Sequence, residues 1–116
     1  MPMAPVTIYH NPRCNTSRTV LRTLTDAGIE PTVVKYLETP PTRAQLTGLL
    51  ADAGLRPSEA VRTRETLYKE LGLAGADEDT ILDAMVANPI LIERPIVVTT
   101  KGTVLARPAE KVNEIL

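Results

Sequence analysis

The chain contains no phenylalanine and no tryptophan, and its aromatic side chains are three tyrosines, Tyr9, Tyr36 and Tyr68. Its core must therefore be aliphatic. No apolar run approaches the roughly 18 residues that a membrane span requires. Neither sign of charge is in excess, with 13 Lys plus Arg against 14 Asp plus Glu and a net charge of −1. A near-neutral chain poor in aromatics lacks the electrostatic footprint and the stacking surfaces that nucleic-acid binders use, so neither nucleic acid nor membrane is expected as a partner. Met1 to Pro5 offers no basic n-region and no apolar stretch of the kind that opens a secretory signal. The expected location is the cytoplasm.

Cysteine is nearly absent too: Cys14 is alone. A single thiol cannot close an internal disulfide or begin a CxxC metal site, and in the cytoplasm it would be kept reduced. If Cys14 does redox chemistry, the electrons must come from another molecule. No bound metal or resident cofactor is expected.

What is present is ordinary for a folded protein. With 116 residues, 43% hydrophobic and 23% charged, the chain suits one domain over 1–116 that buries somewhat under roughly 70% of its unfolded surface. Val6-Thr7-Ile8-Tyr9 alternates as a strand does, and His10-Asn11-Pro12-Arg13 then breaks the period. From Asn15 a helical pattern begins, with Val20, Leu21, Leu24 and Ala27 on one face and Gly28 as its stop. Thr32 to Tyr36 reads as a second strand. A strand, a helix and a strand in about 30 residues form a βαβ unit with parallel strands.

Pro40-Pro41 closes that unit, and an all-helical insertion is expected over about 42–87. Thr42 with Gln45 predicts a capping box for a helix carrying Leu46, Leu49, Leu50 and Ala53 and stopping at Gly54. Ser58 can cap a short helix, Leu67 to Leu71 offers another turn or two, and Asp77 opens a helix with Ile81, Leu82 and Met85 inward. After Asn88-Pro89, Ile96 to Thr99 and Thr103 to Ala106 read as a hairpin turning at Lys101-Gly102. Pro108 suits the first turn of a last helix with Val112, Ile115 and Leu116 on its apolar face. The fold class is α/β: βαβ, helical insertion, ββα, with a four-stranded mixed sheet in the thioredoxin-like arrangement.

Cys14 stands where the first loop becomes the first helix, so its sulfur can lie near free backbone N–H groups and the positive end of the helix dipole. Arg13 and Arg18 flank it, His10 precedes it by four residues, and the Ser17 hydroxyl could face it across one turn. A free cysteine is also commonly a small buried hydrophobe. Both readings of Cys14 stand at this level. Arg62, Arg94 and Arg107 each fall at an element boundary, and in this topology Arg94 could reach the pocket of Cys14. Arginine suits bidentate recognition of a tetrahedral oxyanion, although any of these three could equally belong to a solvated surface. His10 could be a thiolate partner or a hydrogen-bonded bystander, and Asn11-Pro12 could simply shape the loop.

Ile8-Tyr9-His10-Asn11-Pro12-Arg13-Cys14-Asn15-Thr16-Ser17-Arg18 resembles the active-site loop of the glutaredoxin-coupled arsenate reductases of the ArsC type. The resemblance continues through Tyr36 to Pro41, through Arg62 and Tyr68, through Asn88 to Val98, and through Arg107-Pro108-Ala109-Glu110. It spans nearly the whole chain. It implies a thioredoxin-like fold with a helical insertion and a Cys14 nucleophile that attacks arsenate. Arg62, Arg94 and Arg107 would bind the anion, His10, Ser17 and Arg18 would support the thiolate, and Pro95 would match a cis-proline. Glutathione as co-substrate and glutaredoxin as partner are implied as the reductant. Two other functions are compatible with the fold: a regulator resembling Spx that binds RNA polymerase, for which the paired CxxC switch is missing because position 17 is serine, and a glutathione-dependent thiol oxidoreductase that does not act on arsenate.

Overall fold

The computed structural model describes residues 5–116; the start of the chain that argues against a secretory signal lies mostly outside them. The chain divides into two compact units, Met1–Thr39 with Arg94–Leu116, and Pro40–Glu93.

The first unit holds the sheet. Strand β1 (Thr7–His10) is followed by helix α1 (Asn15–Asp26) and strand β2 (Thr32–Lys35), and the hairpin of β3 (Ile96–Thr99) and β4 (Gly102–Leu105) completes the order β2-β1-β3-β4. The β1–β2 pair is parallel and the other two pairs are antiparallel. This is the expected four-stranded mixed sheet.

Alternation explains which residues face inward. Ile8 and Val97 are fully buried cross-strand partners, and Val20 and Leu24, one turn apart on α1, are likewise fully buried. With Val6, Ala106, Val112 and Ile115 they make one aliphatic core, as a chain without Phe or Trp requires. Leu21 packs on its margin. Ala27, expected on the same face, is exposed, because α1 ends at Asp26 and Ala27 is its C-cap. The turn of the hairpin is Thr100-Lys101 rather than Lys101-Gly102, since Gly102 already pairs with Thr99. The last helix is a 3-10 helix over Ala109–Ile115, which still buries Val112 and Ile115. A spacing of three residues suits the tighter 3-10 period as well as the α period.

The second unit is helical, as expected: α2 (Arg43–Ala53), α3 (Pro57–Ala60), α4 (Thr66–Glu70), α5 (Glu78–Ala87) and a 3-10 turn over Pro89–Leu91. The Thr42–Gln45 capping box forms in both directions, and Gly54 ends α2 at φ 71°, a left-handed conformation that favours glycine. Asp77 caps α5 by accepting the Thr80 N–H at 2.7 Å. Ser58 does not cap α3 but lies inside it: Arg56 is the N-cap, and Glu59 Oε1 accepts the Arg56 N–H at 3.0 Å. Ile81, Leu82 and Met85 are buried on α5, which packs against α2, α3 and the 3-10 turn.

The register of the sheet decides where chemistry can happen. His10 ends β1, Ile96 begins β3 opposite Tyr9, and Leu105 ends β4 opposite Ile96. Three chain segments, after His10, before Ile96 and after Leu105, therefore leave the same end of the sheet. Replacing the fully buried Leu24 by alanine should lower the unfolding free energy by about 3 kcal/mol, read from the midpoint shift in urea.

Candidate functional site

At that end of the sheet stand Cys14, Arg94 and Arg107. Cys14 is the N-cap of α1, in extended conformation at φ −96° and ψ 122°. The loop before it is closed by the Cys14 N–H donating to the Asn11 carbonyl at 3.0 Å. Its side chain is only 7% exposed.

Burial by itself pushes the Cys14 thiol up. The Ser17 N–H at the open end of α1, the hydrogen bond and charge of Arg94, and the Thr16 N–H together outweigh it, so the thiol sits below its ordinary value. These groups favour the ionised form of Cys14 over that of an ordinary thiol, which the packing of a small hydrophobe alone does not do. Arg107 Nη1 approaches Sγ at 3.7 Å and donates to the Arg94 carbonyl oxygen at 3.1 Å. Arg94 and Arg107 each precede a cis-proline, Pro95 and Pro108, and the Ala106 N–H donates to the Pro95 carbonyl at 2.9 Å. Two guanidinium groups and a helix N-terminus thus surround one sulfur.

Ser17 is fully buried, and its hydroxyl does not turn to the sulfur as its spacing suggested. Oγ lies 2.6 Å from His10 Nδ1 and accepts the Asn11 N–H at 3.1 Å; it is the Ser17 main-chain N–H that acts on Cys14. Burial, followed by the charges of Lys35 and Arg18, lowers the His10 pKa. The lowered pKa favours neutral His10 at pH 7, and the Nδ1 of a neutral imidazole can accept a hydrogen bond from the Ser17 hydroxyl. Arg18 holds the outside of the loop, donating to the Pro12 carbonyl at 3.1 Å and to Asn15 Oδ1.

Arg62 belongs to the second unit. Its Nη1 pairs with Glu65 Oε2 at 2.9 Å and its Nε with Glu93 Oε1 at 3.5 Å, while its N–H donates to the Leu91 carbonyl at 2.7 Å. Glu65 and Glu93 were not singled out from the sequence; Glu65 lies three residues after Arg62, a separation at which opposite charges often pair. Asn11 was read only as a loop residue. It is buried, and its Oδ1 accepts the Arg13 N–H at 2.9 Å, the bond to the backbone two residues on that asparagine side chains favour.

The ArsC family profile matches residues 9–115. An arsenate reductase of Rhizobium meliloti is 52% identical over 113 residues, covering 96% of this chain and 81% of that protein. An arsenate reductase of Escherichia coli is 51% identical over 116 residues, covering 98% of this chain and 82% of that protein. The solved structure of an arsenate reductase from Vibrio cholerae superposes with a TM-score of 0.94 at 44% identity, covering 99% of this chain and all of that one.

The direction of the His10 shift has a consequence for stability. A histidine whose pKa is lowered by folding binds its proton more readily in the unfolded chain, so stability falls as pH drops through the ordinary value of 6.5. Melting temperatures recorded from pH 7.5 to pH 5.5 should decline for the native protein, and His10→Gln should flatten that decline, His10 being the only histidine.

Proposed function

The chain belongs to the ArsC family, and we infer from its arsenate reductase relatives that it is an enzyme that reduces arsenate to arsenite. One observation carries the chemistry: a sulfur held toward the thiolate form has a guanidinium Nη1 at 3.7 Å and a second guanidinium bonded to it. Arsenate is a tetrahedral oxyanion, and fixed cationic donors around a nucleophile suit such a substrate twice. They bind it, and they stabilise the charge that builds on its oxygens during attack.

The proposed sequence begins with Cys14 Sγ forming a bond to arsenic while one arsenate oxygen leaves as water after protonation. An external thiolate, glutathione, then attacks Sγ. The electron pair of the S–As bond stays on arsenic, which passes from As(V) to As(III) and leaves as arsenite, and Cys14 is left in a mixed disulfide. A glutaredoxin thiol attacks the glutathione sulfur of that disulfide and returns the Cys14 thiolate. In the step that reduces arsenic the Cys14 and glutathione sulfurs each give one electron, and glutaredoxin then restores Cys14, so over the cycle both electrons come from external thiols. The only cysteine cannot resolve its own adduct, which supports an external reductant and, with it, a cytoplasmic location.

Arg94 and Arg107 are assigned to the substrate anion on their proximity to Sγ, and Arg62 on the family resemblance. His10, Ser17 and Arg18 are assigned to support of the loop on the bonds described above.

In a coupled assay with arsenate, glutathione and glutaredoxin, Cys14→Ser should produce no arsenite while keeping a native circular dichroism spectrum. Arg107→Ala should lower kcat/KM on the order of a hundredfold, the typical cost of one lost oxyanion donor. Arg62→Ala should raise KM for arsenate. Arsenite production that survives omission of every added thiol would sink the scheme.

A further inference from the structure

Asn11 stands outside the residues assigned above, yet it ties the loop before Cys14 together at several points. It has three hydrogen-bonding groups in use. Its main-chain N–H donates to Ser17 Oγ at 3.1 Å, its carbonyl accepts the Cys14 N–H at 3.0 Å, and its side-chain Oδ1 accepts the Arg13 N–H at 2.9 Å. Only the last depends on the identity of the residue. We propose that Asn11 is a positioning residue for the nucleophile: by holding the Arg13 N–H, its side-chain carbonyl sets the turn from which Cys14 enters α1 and so fixes the sulfur against the open end of that helix.

The argument is geometric. Pro12 has no N–H to give, so a bond from residue 11 to the chain ahead of it has its first main-chain donor at Arg13. That bond, with the Cys14 N–H on the Asn11 carbonyl, clamps two successive donors onto one residue. Cys14 is then left in extended conformation immediately before the first helical residue. The N–H groups of Thr16 and Ser17 can favour the thiolate only if Sγ is held over them, because interactions with a helix terminus fade within its first turn. The acceptor belongs to a residue with 6% exposure, and an apolar side chain there would take from the Arg13 N–H the acceptor that fixes the turn, which a water bound from the solvent side does not do.

The inference concerns the nucleophile and not its substrate, so its test avoids arsenate. The rate of Cys14 alkylation by iodoacetamide follows the thiolate fraction and can be measured against pH. Asn11→Ala should slow alkylation by about tenfold at a pH low enough that the thiol is mostly protonated in both proteins, the loss for a pKa that rises by roughly one unit. The alkylation profile should move to higher pH and the ultraviolet absorbance of the thiolate should titrate with it. Asn11→Ser, whose hydroxyl can accept the same N–H, should recover most of the native profile. An unchanged profile in a folded Asn11→Ala protein would overturn the proposal. So would an Asn11→Ser protein that is folded but has lost the low-pH thiolate, a result that stays decisive even if the alanine variant does not fold.

Discussion

A cysteine held toward its ionised form while only 7% exposed is the constraint to which the rest of the site answers. Removing an ion from water is unfavourable, and here burial is the largest single influence on Cys14, acting against ionisation. What reverses the balance is assembled from separate pieces of chain. The Thr16 and Ser17 amides come from the first turn of α1, and the Arg94 guanidinium from the residue before β3's leading proline. None of these groups is unusual alone. Their effect depends on being fixed before any substrate arrives, since a donor that must be reoriented during reaction loses much of its advantage.

The sheet supplies that fixity. Because β1 runs antiparallel to β3, and β3 to β4, the end of the first strand, the beginning of the third and the end of the fourth lie together. The core that aligns them is aliphatic and consists of Ile8, Val20, Leu24, Val97 and their neighbours. Beyond the strands, hydrogen bonds finish the alignment: Ala106 to the Pro95 carbonyl and Arg107 to the Arg94 carbonyl tie the two arginine segments to each other. The thiolate environment is thus a product of packing at some distance as much as of the residues that touch it.

How much of this could be read from the chain depends on how far apart the cooperating residues are. Caps and short periods are local, so Thr42 with Gln45, Asp77, and the inward faces of α1 and α5 were legible, as was the order of strands. The α/β class followed from that order. Local signals are less decisive at the ends of short elements and in their helical type. Ser58 looked like a cap, but Pro57 begins the helix one residue earlier, and the three-residue spacing of Val112 and Ile115 serves a 3-10 helix as well as an α-helix. The Arg107 contact with Cys14 joins residues 93 apart in sequence, beyond any periodicity, and only a family resemblance pointed to it. Ser17 was noticed for its distance from Cys14 along a helix, yet rotamer and partner choice sent its hydroxyl to His10, which spacing alone does not encode. Asn11 carries a signal, the habit of asparagine of bonding its own backbone ahead, but that habit is shared by many turns and does not by itself point to the nucleophile.

The near-enclosure of Cys14 also bears on the size of what can react with it. A sulfur so nearly enclosed admits a slender thiol on a short flexible stem more readily than a cysteine set in the surface of a folded protein. Enclosure thus acts as a filter on size, without any moving part.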